Sequence, residues 1–235
     1  SADGLAERAH DLFESELFEK LDLDELMAGR DGSRDSFEEF SRKTKVLFSL
    51  SKMFRRMSVV EEDFMIRVVG GLFGTDTFSD LKIPFVAVAT DLYSGEDVAL
   101  TEGSLATAVR ASAAIPGVFP PVAWDDMLLV DGNITKNIPV PEPGESPLRA
   151  DVIAVDVQRG LESAGPWETG VEVLSRAEWI MQIQLNRYYL EQADLVLVPD
   201  VRDVHWADFG RIEQLIEAGR AAAIEKEEEI VRLFG

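Results

Sequence analysis

The spacing of apolar and polar residues divides the chain into a helical first part and an alternating second part. Up to Gly74, apolar residues recur at the helical interval of three or four positions. This spacing predicts helices over residues 2–20, a short helix ending near Gly29 or Gly32, and helices over 35–58 and 59–72. Gly74 is expected to end the last of them, because glycine commonly terminates a helix.

Beyond Gly74 the chain changes to short apolar runs separated by amphipathic segments. The predicted strands are residues 85–89, 97–101, 127–130, 152–157 and 195–198, and the predicted helices are 104–114, 170–192 and 208–233. Continuous runs such as VIAV and LVLV are typical of strands buried on both faces. The pattern therefore predicts an α/β domain with a mostly parallel central sheet, spanning residues 1–235 as a single domain.

Composition excludes several classes of function. The formal net charge of −21 argues against nucleic-acid binding, which needs a concentrated positive surface. The chain has no cysteine and two histidines, so thiolate chemistry and a histidine-rich metal site are excluded. No apolar run approaches the roughly 18 residues of a spanning helix, and the acidic N-terminus does not resemble a secretory signal. We predict no metal and no cofactor.

One basic segment stands out in this acidic chain. Residues 42–57 carry six lysines and arginines and no acid, interleaved with apolar side chains. Such a segment fits peripheral contact with the headgroup layer of an anionic membrane. It also fits a surface helix with a solvated charged face, which is the commoner arrangement.

The residue with the strongest chemical signal is Asp131. The apolar run MLLV leads directly into Asp131, which is followed by Gly132 and Asn133. A carboxylate at the end of a buried strand, before a tight turn, is held in place and can act as a base. The same position also suits a turn residue that accepts backbone hydrogen bonds.

A nucleophile to accompany this acid is not found in residues 1–235. The serine elbow G-x-S-x-G does not occur; the nearest segments are GRDGS at 29–33, SGED at 94–97 and EGSLA at 102–106. His10 and His205 have no visible partner, and we interpret both as structural. We also interpret Asp91 as a hairpin-turn residue, and the adjacent acids Asp125 and Asp126 as a turn and not an acid/base pair.

Three blocks together resemble a known family. ATDLYSGEDVAL, ASAAIPGVFPPV and LVDGNITKNIPV, in this order, are similar to segments of the bacterial patatin-like phospholipases, and ADVIAVDV and DFGRIEQLIEAGRAAA also fit. The resemblance implies a three-layer α/β/α fold and a serine–aspartate dyad. Asp131 and Gly132 match the first two positions of the D-G-G or D-G-A motif, whereas Asn133 departs from the third. Because asparagine tolerates left-handed backbone geometry, we expect the turn to persist.

In this family the oxyanion loop and the nucleophile elbow precede the matched blocks. The resemblance therefore implies that the N-terminal strands and the elbow are absent from this chain, and that a separate chain or a missing segment supplies the serine. The expected function is hydrolysis of lipid or phospholipid esters with Asp131 as general base, in the cytoplasm or at the inner membrane surface. Two alternatives remain open: a non-catalytic lipid-binding or regulatory relative, and an acyltransferase on the same scaffold.

Overall fold

A computed structural model describes residues 57–141, 151–158, 160–161, 167, 169–201, 204 and 209–235. Within the chain, contacts define two compact units, Ser1–Thr135 and Lys136–Gly235. The helices predicted before residue 57, the basic residues of 42–56, and both histidines lie outside the described residues. The predictions of a single domain over residues 1–235 and of a three-layer arrangement stay predictions.

The first unit contains a four-stranded sheet, one helix packed on that sheet, a second helix packed on the first, and a short helix at its end. The helices are α1 (Glu62–Phe73), α2 (Leu105–Ser112) and α3 (Asn133–Lys136), and a 3₁₀ turn spans Phe78–Asp80. The strands are β1 (Ala87–Asp91), β2 (Asp97–Leu100), β3 (Val122–Trp124) and β4 (Met127–Asp131). Helix α1 ends at Gly74, whose φ of 59° is a backbone conformation that glycine adopts freely, as the sequence predicted.

The four strands form a sheet in the order β2-β1-β4-β3, and every neighbouring pair is antiparallel. The prediction of a mostly parallel sheet is wrong for these strands. Short loops explain two of these three pairs, because parallel neighbours need a crossover of a dozen or more residues. Only five residues separate β1 from β2, and only Asp125 and Asp126 separate β3 from β4. The two acids form a hairpin turn, as predicted, with Asp125 at a φ of 50°.

Alanines let helix α2 lie close to this sheet. Ala108 and Ala111 of α2 are fully buried, and Ala89 of β1 is also fully buried. Small side chains on both surfaces allow the helix and the sheet to approach without voids. The remaining buried members of the cluster are Ala87, Leu100, Ala114, Val122 and Leu129. Helix α2 starts at Ser104, whose hydroxyl accepts a hydrogen bond from the Thr107 N–H.

Asp91 stabilises the β1–β2 hairpin, which confirms its structural interpretation. Its carboxylate accepts hydrogen bonds from the Leu128 N–H (3.1 Å), the Tyr93 N–H (3.2 Å), and both the N–H (3.1 Å) and hydroxyl (2.8 Å) of Ser94. Burial alone raises the pKa of this carboxyl group, but the hydrogen bonds from Ser94, Tyr93 and Leu128 together outweigh burial. The pKa of Asp91 is therefore held below its ordinary value of 3.8.

We expect Asp91→Ala to lower the Tm by several degrees at about pH 7, because four donors lose their acceptor. A carboxyl group with a lowered folded-state pKa stabilises the protein above its unfolded pKa, and that stability is lost as pH falls through the folded value. The difference in Tm between wild type and variant should therefore shrink below about pH 3.8. Thermal unfolding across pH measures it. Glu96→Ala, an exposed acid in the same turn, is the matched control; equal losses from both variants would contradict the prediction.

The second unit contains the parallel pairing that the sequence predicted. Strands β5 (Ile153–Val155) and β6 (Leu195–Leu197) run parallel, separated in sequence by helix α4 (Gly170–Leu190). Helix α4 begins with a capping box in which Thr169 and Glu172 bond each other's backbone N–H. Ile138, Val140 and Ala154 form a buried cluster beside this pair of strands.

The C-terminal segment departs from the single helix predicted over 208–233. A 3₁₀ turn at Phe209–Arg211 precedes α5 (Ile212–Glu225), and Lys226 separates α5 from α6 (Glu227–Phe234). The Lys226 side chain bonds Glu229 at 2.7 Å. Among the helices that the structure describes, none is long and apolar enough to cross a membrane.

Candidate functional site

Asp131 is the last residue of strand β4, whose end is held by buried neighbours and a backbone hydrogen bond. Leu129 and Val130, which precede it, are almost fully buried, and Asp131 lies opposite Ala89 in the antiparallel register with β1. The Asp131 N–H donates to the Ala114 carbonyl at 3.0 Å. Its side chain is partly buried, so the backbone is fixed on the core side while the carboxyl group stays partly accessible.

Gly132 is required by a close approach of two backbones. A Cβ atom at this position would lie 2.4 Å from the Val88 carbonyl oxygen and 2.9 Å from the Val88 carbonyl carbon. Real Cβ atoms do not approach backbone this closely, so any side chain would displace either β1 or the turn. Gly132 does not have a positive φ. Glycine is therefore needed here because it lacks a side chain, and not because of its backbone conformation.

Asn133 begins helix α3 directly after this glycine. Among the described non-glycine residues, only Asp125 has a positive φ, so Asn133 does not use the left-handed tolerance that we invoked for it. Its backbone N–H donates to Asp131 Oδ1 at 2.9 Å. Two residues later, the Thr135 hydroxyl lies 2.8 Å from the hydroxyl of the buried Thr90. The turn is therefore bonded both to the acid and to β1.

The environment of Asp131 makes its carboxylate a stronger base. Burial raises the pKa of Asp131 above its ordinary value of 3.8, because burial disfavours the charged form. The hydrogen bond from the Asn133 N–H opposes this effect but is the weaker of the two. A carboxylate whose pKa moves toward neutrality accepts a proton more readily.

The serines of the two weak elbow candidates inside the described residues have structural partners. Ser94 donates its hydroxyl hydrogen to Asp91, and the hydroxyl of Ser104 caps α2. The third candidate segment, GRDGS, lies outside the described residues. The described residues thus offer no serine hydroxyl bonded to Asp131.

The proline-containing block after α2 is tied to the segment before α1. Val59 and Val60 donate their N–H groups to the carbonyls of Gly117 and Val118. A cavity of about 340 Å³ lies at this junction, lined by Ser58, Val60, Glu61, Glu62, Asp63 and Pro120. Arg110 pairs with Glu62 at 3.5 Å. Asp131 does not line this cavity.

Contacts made by main-chain carbonyls were not visible in the sequence. The roles of Val88 and Ala114 depend on their backbone oxygens, which carry no residue-specific signal. The Thr90–Thr135 contact joins residues 45 positions apart, and the spacing of apolar and polar residues does not predict it either. In the part of the chain that the structure describes, no group of three or more acids and histidines is arranged to hold a metal ion.

The fold and site define a mixed α/β protein with a partly buried acid at the end of a strand, followed by an obligatory glycine. The patatin-like phospholipase family model matches residues 6–143, more than half of the chain, and the chain belongs to this family. The resemblance found in the three sequence blocks is confirmed.

Three relatives of this chain are each longer than it is. An uncharacterized NTE family protein of Mycobacterium tuberculosis is 30% identical over 183 residues, covering 67% of this chain and 31% of the relative. A second such protein of that organism is 32% identical over 152 residues, covering 63% and 41%. Patatin-like phospholipase domain-containing protein 7 of Mus musculus is 29% identical over 182 residues, covering 64% and 13%. The chain thus spans less than half the length of each.

Proposed function

We propose that this protein is a serine acyl hydrolase of the patatin type, in which Asp131 is the general base for lipid or phospholipid esters. The observation that carries the proposal is the partly buried Asp131 at the end of β4, with its pKa raised by burial. Family membership supports the substrate class. The nucleophilic serine belongs, on this proposal, to a segment outside residues 1–235, because no G-x-S-x-G occurs within them.

The chemistry follows from a base that acts without a histidine. Asp131 takes the proton of the serine hydroxyl as the serine oxygen attacks the ester carbonyl. Backbone N–H groups that accompany the serine would stabilise the oxyanion, an effect commonly worth about 3 kcal/mol. The proton passes from Asp131 to the leaving alcohol, and an acyl-serine remains. Water then attacks the acyl group with Asp131 again as base.

The physiological setting is part of the same proposal. A lipid substrate requires access to a membrane or micelle surface, and residues 42–57 supply cations suited to anionic headgroups. We place the protein in the cytoplasm, in peripheral contact with the inner membrane surface. Met57, the one described residue of this segment, is 64% exposed.

A fluorophosphonate probe tests the location of the nucleophile. We expect the full-length protein to be labelled on a single serine outside residues 1–235, identified by peptide mass spectrometry. Preincubation with a slowly hydrolysed ester should block labelling, because both compounds react with the same hydroxyl. Labelling of a serine within residues 1–235 would contradict the proposal. Absence of labelling would favour a non-catalytic lipid-binding relative.

A further inference from the structure

Helix α4 presents a row of apolar side chains to solvent. Ile183, Asn186 and Tyr189 are buried on one side of this helix. The opposite side is exposed and largely apolar, because residues three, four or seven positions apart share a helix face. The apolar row runs along about 22 Å of helix. We call it the α4 stripe, and its members are Val173, Leu174, Ala177, Ile180, Met181 and Tyr188.

The large side chains of the α4 stripe are strongly exposed. Leu174 is 71% exposed and Met181 is 65% exposed, and Gln184 is the polar residue within the row. A single exposed apolar side chain is normal on a protein surface, whereas a contiguous row of them marks an interaction surface. The α4 stripe therefore has a partner that covers it.

The residues around the α4 stripe suit a lipid surface. Trp167 is 46% exposed, and the Arg176 guanidinium carbon lies 5.7 Å from the centroid of its ring. Arg187 is three helical turns further on and borders the same side of the stripe as Arg176. Tryptophan and tyrosine favour the boundary between lipid and water, as Trp167 and Tyr188 would here, because each ring is apolar with one polar group. Arginine can bond lipid phosphates while its stem lies on apolar surface.

A second copy of the chain fits the α4 stripe less well than lipid does. Stable protein interfaces use about 20–30 residues on each side, whereas the stripe has six. A second copy would also carry the same formal net charge of −21, and like charges oppose association. Helix α4 itself is neutral, because its two glutamates balance its two arginines. It therefore suits headgroups without net charge.

We propose that helix α4 docks this protein on a phospholipid surface, with the α4 stripe inserted at the boundary between headgroups and acyl chains. The choice of lipid as the partner rests on the proposed function, because a lipid ester is held in such a surface. The helix lies in the plane of the interface, since its other face is buried in the protein. This docking depends on apolar burial, whereas contact through the cations of residues 42–57 is screened by salt.

Cosedimentation of the full-length protein with phosphatidylcholine vesicles tests this surface. The double variant Leu174→Ser/Met181→Ser should bind at least about tenfold more weakly, because two exposed apolar side chains no longer enter the lipid. Ala177→Leu adds apolar surface to the exposed stripe with a good helix former, and it should bind about threefold more tightly. The matched control is Ile83→Ser/Val231→Ser, which removes two exposed apolar side chains outside α4 and should leave binding unchanged.

Several results would overturn the docking role of α4. They are an equal loss of binding in the double variant and its control, wild-type binding by Ala177→Leu, and release of the wild type from vesicles in about 0.5 M NaCl. A double variant of normal Tm that binds vesicles fully but no longer dimerises would identify the stripe as a protein interface instead. Turnover of a soluble short-chain ester should be equal in wild type and double variant. Vesicle binding by a protein that hydrolyses no ester would contradict the proposed function while leaving the docking surface in place.

Discussion

Asp131→Asn is expected to lower kcat/KM for ester hydrolysis by about 10³-fold, within the range of general-base contributions. The amide has nearly the same shape as the carboxylate and keeps an oxygen that can accept the Asn133 N–H bond. It cannot accept the serine proton, however. The Tm should therefore stay close to that of the wild type while turnover is lost. Release of p-nitrophenol from a short-chain ester and thermal unfolding of the full-length protein measure the two quantities.

Asp126→Asn is the matched control for this variant. Asp126 is an exposed acid in the β3–β4 turn, five residues from Asp131, and removing its charge should leave kcat/KM unchanged. Turnover by Asp131→Asn at the wild-type rate would remove the acid from the mechanism. A joint loss of activity and Tm would instead identify Asp131 as a structural residue of the turn.

Gly132→Ala is expected to reduce the free energy of unfolding by about 3 kcal/mol, at the upper end of overpacking effects. The added methyl group would meet the Val88 carbonyl at 2.4 Å. That carbonyl belongs to the central strand β1, which is paired on both sides, so it cannot move aside without breaking other contacts. Chemical denaturation of wild type and variant gives the difference, provided that the m-value is unchanged.

The same substitution at Gly70 is expected to have the opposite effect on the free energy of unfolding. Gly70 lies inside helix α1, its Cβ would meet no atom within 4 Å, and alanine is a better helix former than glycine. This variant should be as stable as the wild type or more stable, by up to about 1 kcal/mol. If Gly132→Ala were tolerated as well as Gly70→Ala, the close approach to Val88 would not constrain the turn.

The sequence predicted the positions of the helices and strands better than it predicted how the strands pair. Helix α4 was predicted over 170–192 and spans Gly170–Leu190, because its periodicity is long and its capping box is local. The antiparallel sheet was missed because a buried strand has the same apolar run in either orientation. The short turn after Asp91 was the signal of an antiparallel pair. We interpreted that turn as a hairpin but still predicted a mostly parallel sheet.

Short or weakly marked features escaped prediction altogether. Strand β3 has three residues and follows two prolines, too few for an alternating pattern. The division of the C-terminal helix at Lys226 involves no glycine or proline. Asp131 was chosen as the candidate base from its strand end and motif, whereas the close approach of Gly132 to the Val88 carbonyl depends on three-dimensional packing.

The Asp131 turn is bonded to the carbonyl of Ala114 and packs against the carbonyl of Val88, and this has a consequence for divergence within the family. Every amino acid possesses the same carbonyl group, so these two contacts survive replacement of the side chains at positions 88 and 114. Lineages can therefore drift far apart in composition while the acid keeps its orientation. Gly132 is the position whose identity must be kept, because any side chain there would collide with the Val88 carbonyl.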